Sequence, residues 1–88
     1  MKLKYDFESV DVGDEIIFVP VGEGASQVHG VLKLNAEGKE ILDLLKENTT
    51  ETDIINTLSA KYENERQILA NYVRKIVHTL QDAGLIEE

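Results

Sequence analysis

The sequence predicts an α+β fold, an N-terminal three-stranded antiparallel sheet followed by three helices, because its hydrophobic period changes once. Residues 1 to 34 are rich in Val, Ile, Phe and Gly, whereas residues 35 to 88 carry helical spacing and contain no proline. The chain has 88 residues, which sets the scale. A chain of that length is expected to form a single domain, residues 1–88, and to bury roughly 60% of the surface it exposes when unfolded.

The first strand is expected at Lys4 to Val10, with Tyr5, Phe7 and Val10 as its apolar positions. Residues 11 to 14 (DVGD) read as a turn in which Gly13 can take positive φ. The second strand, Ile16 to Val21, is nearly all apolar, so cover is expected on both of its faces. Pro20 cannot donate a ladder hydrogen bond and belongs at an edge or a strand end. Residues 22 to 27 (GEGASQ) are short enough for a hairpin loop. The third strand is expected at Val28 to Leu34, with Val28, Leu32 and Leu34 on one face and His29, Val31 and Lys33 on the other.

Helix one starts from an Asn35 N-cap and turns Ile41, Leu42, Leu44 and Leu45 toward the core. Gly38 in its first turn is inconsistent with helix propensity, since Ala would be ~1 kcal/mol better in a helix interior. Two explanations stand: tolerance near a frayed end, or a strand or the third helix passing so close that a β-carbon has no room. Thr50 with Asp53 resembles a capping box for helix two, whose buried stripe is Ile54, Ile55, Leu58 and Tyr62. Asn64 followed by Gln67 gives a second cap signal, and Gly84 is placed to end helix three in the left-handed conformation. Leu85 and Ile86 then fold back as an apolar tail.

Helix three is the informative one. At 100° per residue, Leu69, Ile76 and Leu80 fall near the middle of an apolar arc about 180° wide, more than a surface helix needs. Ile68 and Tyr72 lie on one flank of that arc; Val73 and Val77 lie on the other. Either both flanks are buried, or one borders a groove left open for a partner. A groove between this helix and the last strand would use Ile68, Tyr72 and Thr79 together. The polar side holds Gln67, Asn71, Arg74, Lys75, His78 and Gln81, with no acid between Glu65 and Asp82. In a chain with 17 acids that gap suits a solvated face, an acidic peptide or a nucleic acid.

Composition narrows the chemistry. There are no cysteines, so disulfides and thiolate chemistry are excluded, and two histidines make a multi-histidine metal centre a poor reading. Neither histidine has a nucleophile or carboxylate tied to it by spacing, so no catalytic residue, metal ligand or cofactor is assigned. Asp6, Glu8, Asp11, Asp14 and Glu15 lack the spacing and closing Glu of a calcium loop. No apolar run approaches the ~20 residues of a membrane helix, and no signal core follows the N-terminal lysines, so a cytoplasmic protein without a membrane partner is expected. Three strands, then helices two and three joined by a tight turn, also suggest a winged-helix-like arrangement. A DNA-binding regulator would place helix three in a major groove, with Arg66, Gln67, Asn71 and Arg74 toward bases. The net charge of −8 and the acidic, cation-free loop 22 to 27 count against that alternative.

Residues 32 to 45 (LKLNAEGKEILDLL), 48 to 62 (NTTETDIINTLSAKY) and 80 to 86 (LQDAGLI) resemble the PqqD family and the wider set of recognition elements for ribosomally made, modified peptides. The likeness covers about residues 5 to 86 and rests mostly on core and cap positions, so it speaks for the fold more than for a ligand. It implies a non-catalytic peptide chaperone. Such a protein binds the leader segment of a precursor peptide and presents it to a modifying enzyme, often a radical S-adenosylmethionine enzyme. The leader is held as an added strand against the third strand and beside the third helix. In this sequence those elements hold Val28, His29, Gly30, Val31 and Lys33, and Ile68, Tyr72, Arg74, Lys75 and Thr79. The chemistry fits: strand addition draws affinity from main-chain bonds and specificity from side-chain pockets. Lys33 and His29 would blunt a free edge, and Gly30 would let a peptide backbone come close.

Overall fold

The computed structural model describes residues 1–24 and 31–87. In chain order the elements are β1 (Lys2–Leu3), β2 (Asp6–Val12), β3 (Glu15–Val21), β4 (Leu32–Leu34), α1 (Ala36–Leu44), α2 (Glu51–Lys61), α3 (Arg66–Asp82) and β5 (Ile86–Glu87). The expected three-stranded antiparallel sheet is present in the order β2-β3-β4, and three helices follow it. Val28, His29 and Gly30, the first half of the expected third strand, lie outside the described residues.

The β2–β3 hairpin turns through Gly13 and Asp14, with Val12 opposite Glu15. Gly13 has φ +66 and, among the described residues, no non-glycine residue is left-handed, as a two-residue II′ turn with glycine first requires. Pro20 sits near the end of β3, beyond Ile16, Ile17 and Phe18, the residues that pair with β4. The register puts Phe7, Phe18, Leu32 and Leu34 on the face toward the helices. Only Phe18 of β3 is fully buried, so the expectation of cover on both faces of that strand is corrected. The helices form a layer on one side of the sheet, and among the described residues nothing lies over the other. Val10 belongs to that outer face, opposite Ile17, and is 52% exposed rather than core.

A second, two-stranded sheet joins the ends of the chain: Leu3 opposes Ile86 and Lys2 opposes Glu87. Leu3 N–H also donates to the Leu45 carbonyl and Lys4 N–H to the Leu85 carbonyl, both at 2.9 Å. The apolar tail is therefore a strand, and Leu85 and Ile86 are buried.

The caps account for the helix ends. Asn35 Oδ1 accepts from Gly38 N–H at 2.9 Å, and Thr50 Oγ1 accepts from Asp53 N–H at 3.1 Å. At the end of α3, Leu85 N–H donates to the Leu80 carbonyl and Gly84 N–H to the Gln81 carbonyl, with Gly84 at φ +74. That pair of bonds is the Schellman motif. The Asn64–Gln67 cap is not formed. Glu65 is the N-cap without a side-chain bond, and Gln67 Nε2 instead donates down the helix to Asn71 Oδ1 at 3.2 Å. Lys61 Nζ, donating to Glu40 Oε1 at 2.8 Å, ties α2 to α1.

One apolar cluster runs from Phe18 through Ile41, Leu45, Ile54, Leu58, Val73, Val77 and Leu80 to Ile86. On α3 the buried residues are Leu69, Ala70, Val73, Ile76, Val77 and Leu80. Their mean direction is rotated toward the Val73 and Val77 flank, so Val73 rather than Leu69 or Ile76 marks the centre of the buried face.

Candidate functional site

Rotating the buried face of α3 toward Val73 leaves its other apolar flank uncovered. Ile68 is 55% exposed, the most of any large apolar residue described, and Tyr72 is half-buried. That flank runs beside the end of β4, an edge strand whose side away from β3 has no strand partner among the described residues.

Tyr72 is held at the β4–α1 junction by Asn35. Its hydroxyl donates to Asn35 Oδ1 at 2.7 Å, the same oxygen that takes the Gly38 N–H. One amide oxygen thus caps α1 and anchors α3 with its two lone pairs. Gly38 explains itself here. A β-carbon at that position would lie 2.7 Å from Leu34 Cβ and 3.1 Å from the Tyr72 hydroxyl. Close approach, not tolerance at a frayed end, is why glycine stands in this turn. Burial, and after it the Glu37 carboxylate, hold the Tyr72 phenol above its ordinary value of 10.0.

Tyr72 divides the groove into two concavities. One, of about 330 Å³, is bounded by Lys33, Leu34, Asn35, Lys75, Asp14 and Glu15. The other, of about 190 Å³, lies between Ile68, Leu69, Glu37 and Asn64. The first carries two cations and two carboxylates, so the acid-free side of α3 meets acids contributed by the β2–β3 turn. The second has Glu37 as its one charged residue. A larger concavity, about 590 Å³, lies on the far side of the molecule between β2 and α1, against Tyr5, Phe7, Leu42 and Lys46. It borders the β2 edge of the sheet, which has no strand partner among the described residues.

Of the site residues expected from sequence, Lys33, Tyr72 and Lys75 line the first concavity, and Ile68 joins Tyr72 at the second. Thr79 lies on the same helical flank, its hydroxyl donating to the Lys75 carbonyl at 2.9 Å. Val31, expected within the third strand, lies just ahead of β4, is 52% exposed and lines neither concavity. Arg74 is carried about 160° around the helix axis from Tyr72 and does not reach this groove. Asn35 and Glu37 are groove residues that the sequence does not point to; Leu34 ends the strand expected to receive the leader. Asn35 carried only its cap signal, and a bond to a residue 37 positions away leaves no local trace.

A free strand edge with an apolar helix flank beside it is the architecture of a strand-accepting peptide site. The chain belongs to the PqqD family: the family described as coenzyme PQQ synthesis protein D (PqqD) matches residues 16–86. The solved structure of TbiB1 in complex with the TbiA(beta) leader peptide is similar to this chain, with 23% sequence identity and a TM-score of 0.70. That likeness covers 99% of this chain and 95% of TbiB1, and establishes the shared fold. Among curated proteins, none matches the sequence significantly.

Proposed function

We propose that this protein is a non-catalytic chaperone, acting as one domain, that binds the leader segment of a ribosomally made precursor peptide and presents it to a modifying enzyme. The observation that carries the reading is the uncovered Ile68 and Tyr72 flank of α3 beside the free edge of β4, in a chain of the PqqD family. A leader entering as an added strand would take main-chain bonds from β4 and rest alternate side chains in the two concavities around Tyr72. TbiB1, the protein of like fold, was solved with a leader peptide bound, which supports this use of the fold. The enzyme is of the radical S-adenosylmethionine type and the complex forms in the cytoplasm. Lys33 and Lys75 act at the rim, on rate and register more than on affinity. Val28, His29 and Gly30, which precede Val31 in the sequence, belong to the same proposed set of leader-binding residues.

Labelled precursor leader, followed by fluorescence anisotropy, tests the reading. Ile68→Asp should weaken leader binding about tenfold or more, as expected for the loss of an interface anchor. Lys75→Ala should slow association and flatten its salt dependence while costing about 1 kcal/mol or less. A duplex oligonucleotide should not compete at physiological salt. Leader binding that ignores Ile68→Asp, or that DNA displaces, would contradict the proposal.

A further inference from the structure

The outer face of the three-stranded sheet is unusual for a surface. The register gathers Val10, Val12, Ile17, Val19 and Val21 on it, and Val31 stands next to it in the chain, just ahead of β4. Val10, Val12, Val19 and Val31 are 52%, 53%, 37% and 52% exposed. They account for all but one of the exposed large apolar residues described, the other being Ile68 of the groove. Isolated valines on a surface need no explanation, but a contiguous group on one sheet face marks an interaction surface.

The charges around this patch are mostly of one sign. Asp6, Glu8 and Glu15 share the face and Asp14 stands at its turn, against a single cation, Lys33, among the described residues there. An apolar centre with a charged rim is the anatomy of a protein interface, and rims are complementary across it. A second copy of this chain would set carboxylates against carboxylates in a molecule of net charge −8. An anionic lipid surface would be repelled by the same rim.

We propose that this face docks the peptide-modifying enzyme, through an aliphatic patch on that enzyme ringed by Lys or Arg. The proposal rests on the leader-binding function and names the surface through which its second step occurs. A strand added at β4 lies in the plane of the sheet, so its alternate side chains emerge beside Lys33 on this face. The enzyme would then meet the peptide and the valines together, leaving the α3 groove to the leader.

The test uses the purified modifying enzyme encoded with the precursor, the precursor itself, and the full chain. Val10→Lys with Val12→Lys should lower affinity for the enzyme about tenfold or more. The same variant should bind the precursor within about twofold of wild type, because neither position touches the groove. Asp6→Asn with Glu8→Gln should slow enzyme association and reduce its salt dependence. Thermal melts confirm folding, and Val10→Thr with Val12→Thr, which keeps strand propensity, serves if the lysine variant unfolds. An enzyme that binds well-folded variants as tightly as wild type, or does not bind wild type, overturns the proposal. So does sedimentation showing a wild-type dimer that the lysines disperse, since a second copy then occupies the face. Failure of the leader reading is separately visible as wild-type protein that does not bind the precursor. Enzyme binding measured without precursor then decides the docking surface by itself.

Discussion

On one flank of α3, Val73 and Val77 are fully buried; on the other, Ile68 is 55% exposed and Tyr72 half-buried. Both flanks are apolar, and the helical period alone treats them alike. What separates them is the neighbouring surface. The first joins the core cluster shared with α1, α2 and β5. The second faces the end of β4, where Gly38 and Asn35 bring the junction close enough to hold the Tyr72 hydroxyl but leave Ile68 uncovered. A helix broader in its apolar arc than its core requires therefore has a spare face, and here that face borders a strand edge.

Substitutions along α3 should separate the flanks by size of effect. Leu80→Ala, on the closed side at 2% exposure, should cost about 2–5 kcal/mol in urea unfolding. That is a large share of the 5–15 kcal/mol typical of a domain. If Leu80→Ala leaves the midpoint unmoved, the closed flank has been misassigned. Gly38→Ala comes next. Propensity favours Ala by up to ~1 kcal/mol. The Leu34 Cβ at 2.7 Å is the root of a side chain and yields only if β4 moves. The net result should be a loss of about 1–3 kcal/mol, as in other overpacked sites. A stabilised Gly38→Ala variant would show that β4 and α1 are not in close register.

Tyr72→Phe removes one hydrogen bond of a half-buried hydroxyl and should cost about 0.5–1.5 kcal/mol. It should also change the alkaline limb. A phenol whose value is raised in the folded state contributes stability that is fully present below its unfolded value, near 10.0, and is lost as pH rises through the folded one. Wild type should thus lose stability more steeply than Tyr72→Phe above about pH 10. Parallel limbs for the two proteins would remove the burial and Glu37 argument. Ile68→Ala, the smallest effect, should stay within about 0.5 kcal/mol of wild type in unfolding. Its effect belongs to leader binding, and a strongly destabilised variant would mean that the flank is core.

Much of the architecture was legible because its signals are local. Asn35, Thr50 and Gly84 each cap a helix as their chemistry indicates, and the period change locates the boundary between sheet and helices. Pairings distant in sequence were not legible. Two-residue strands at Leu3 and Ile86 have no period to detect, and the outer face of β3 reads as buried because Ile17 and Val19 are as apolar as Phe18. The Asn64–Gln67 cap signal lost to a bond along the helix, from Gln67 to Asn71. The site was half visible. Ile68 and Tyr72 follow from the arc, but the Tyr72–Asn35–Gly38 contact that positions them is tertiary.

The most direct measurement is amide chemical-shift mapping and solvent exchange of the labelled protein with its cognate precursor leader. Strand addition predicts shifts along Leu32–Leu34, Ile68, Tyr72 and Lys75, with slowed exchange of the β4 amides that face away from β3. Shifts confined to Val73 and Val77, or to Tyr5, Phe7 and Lys46 around the concavity on the β2 edge, would place the peptide elsewhere and contradict the account.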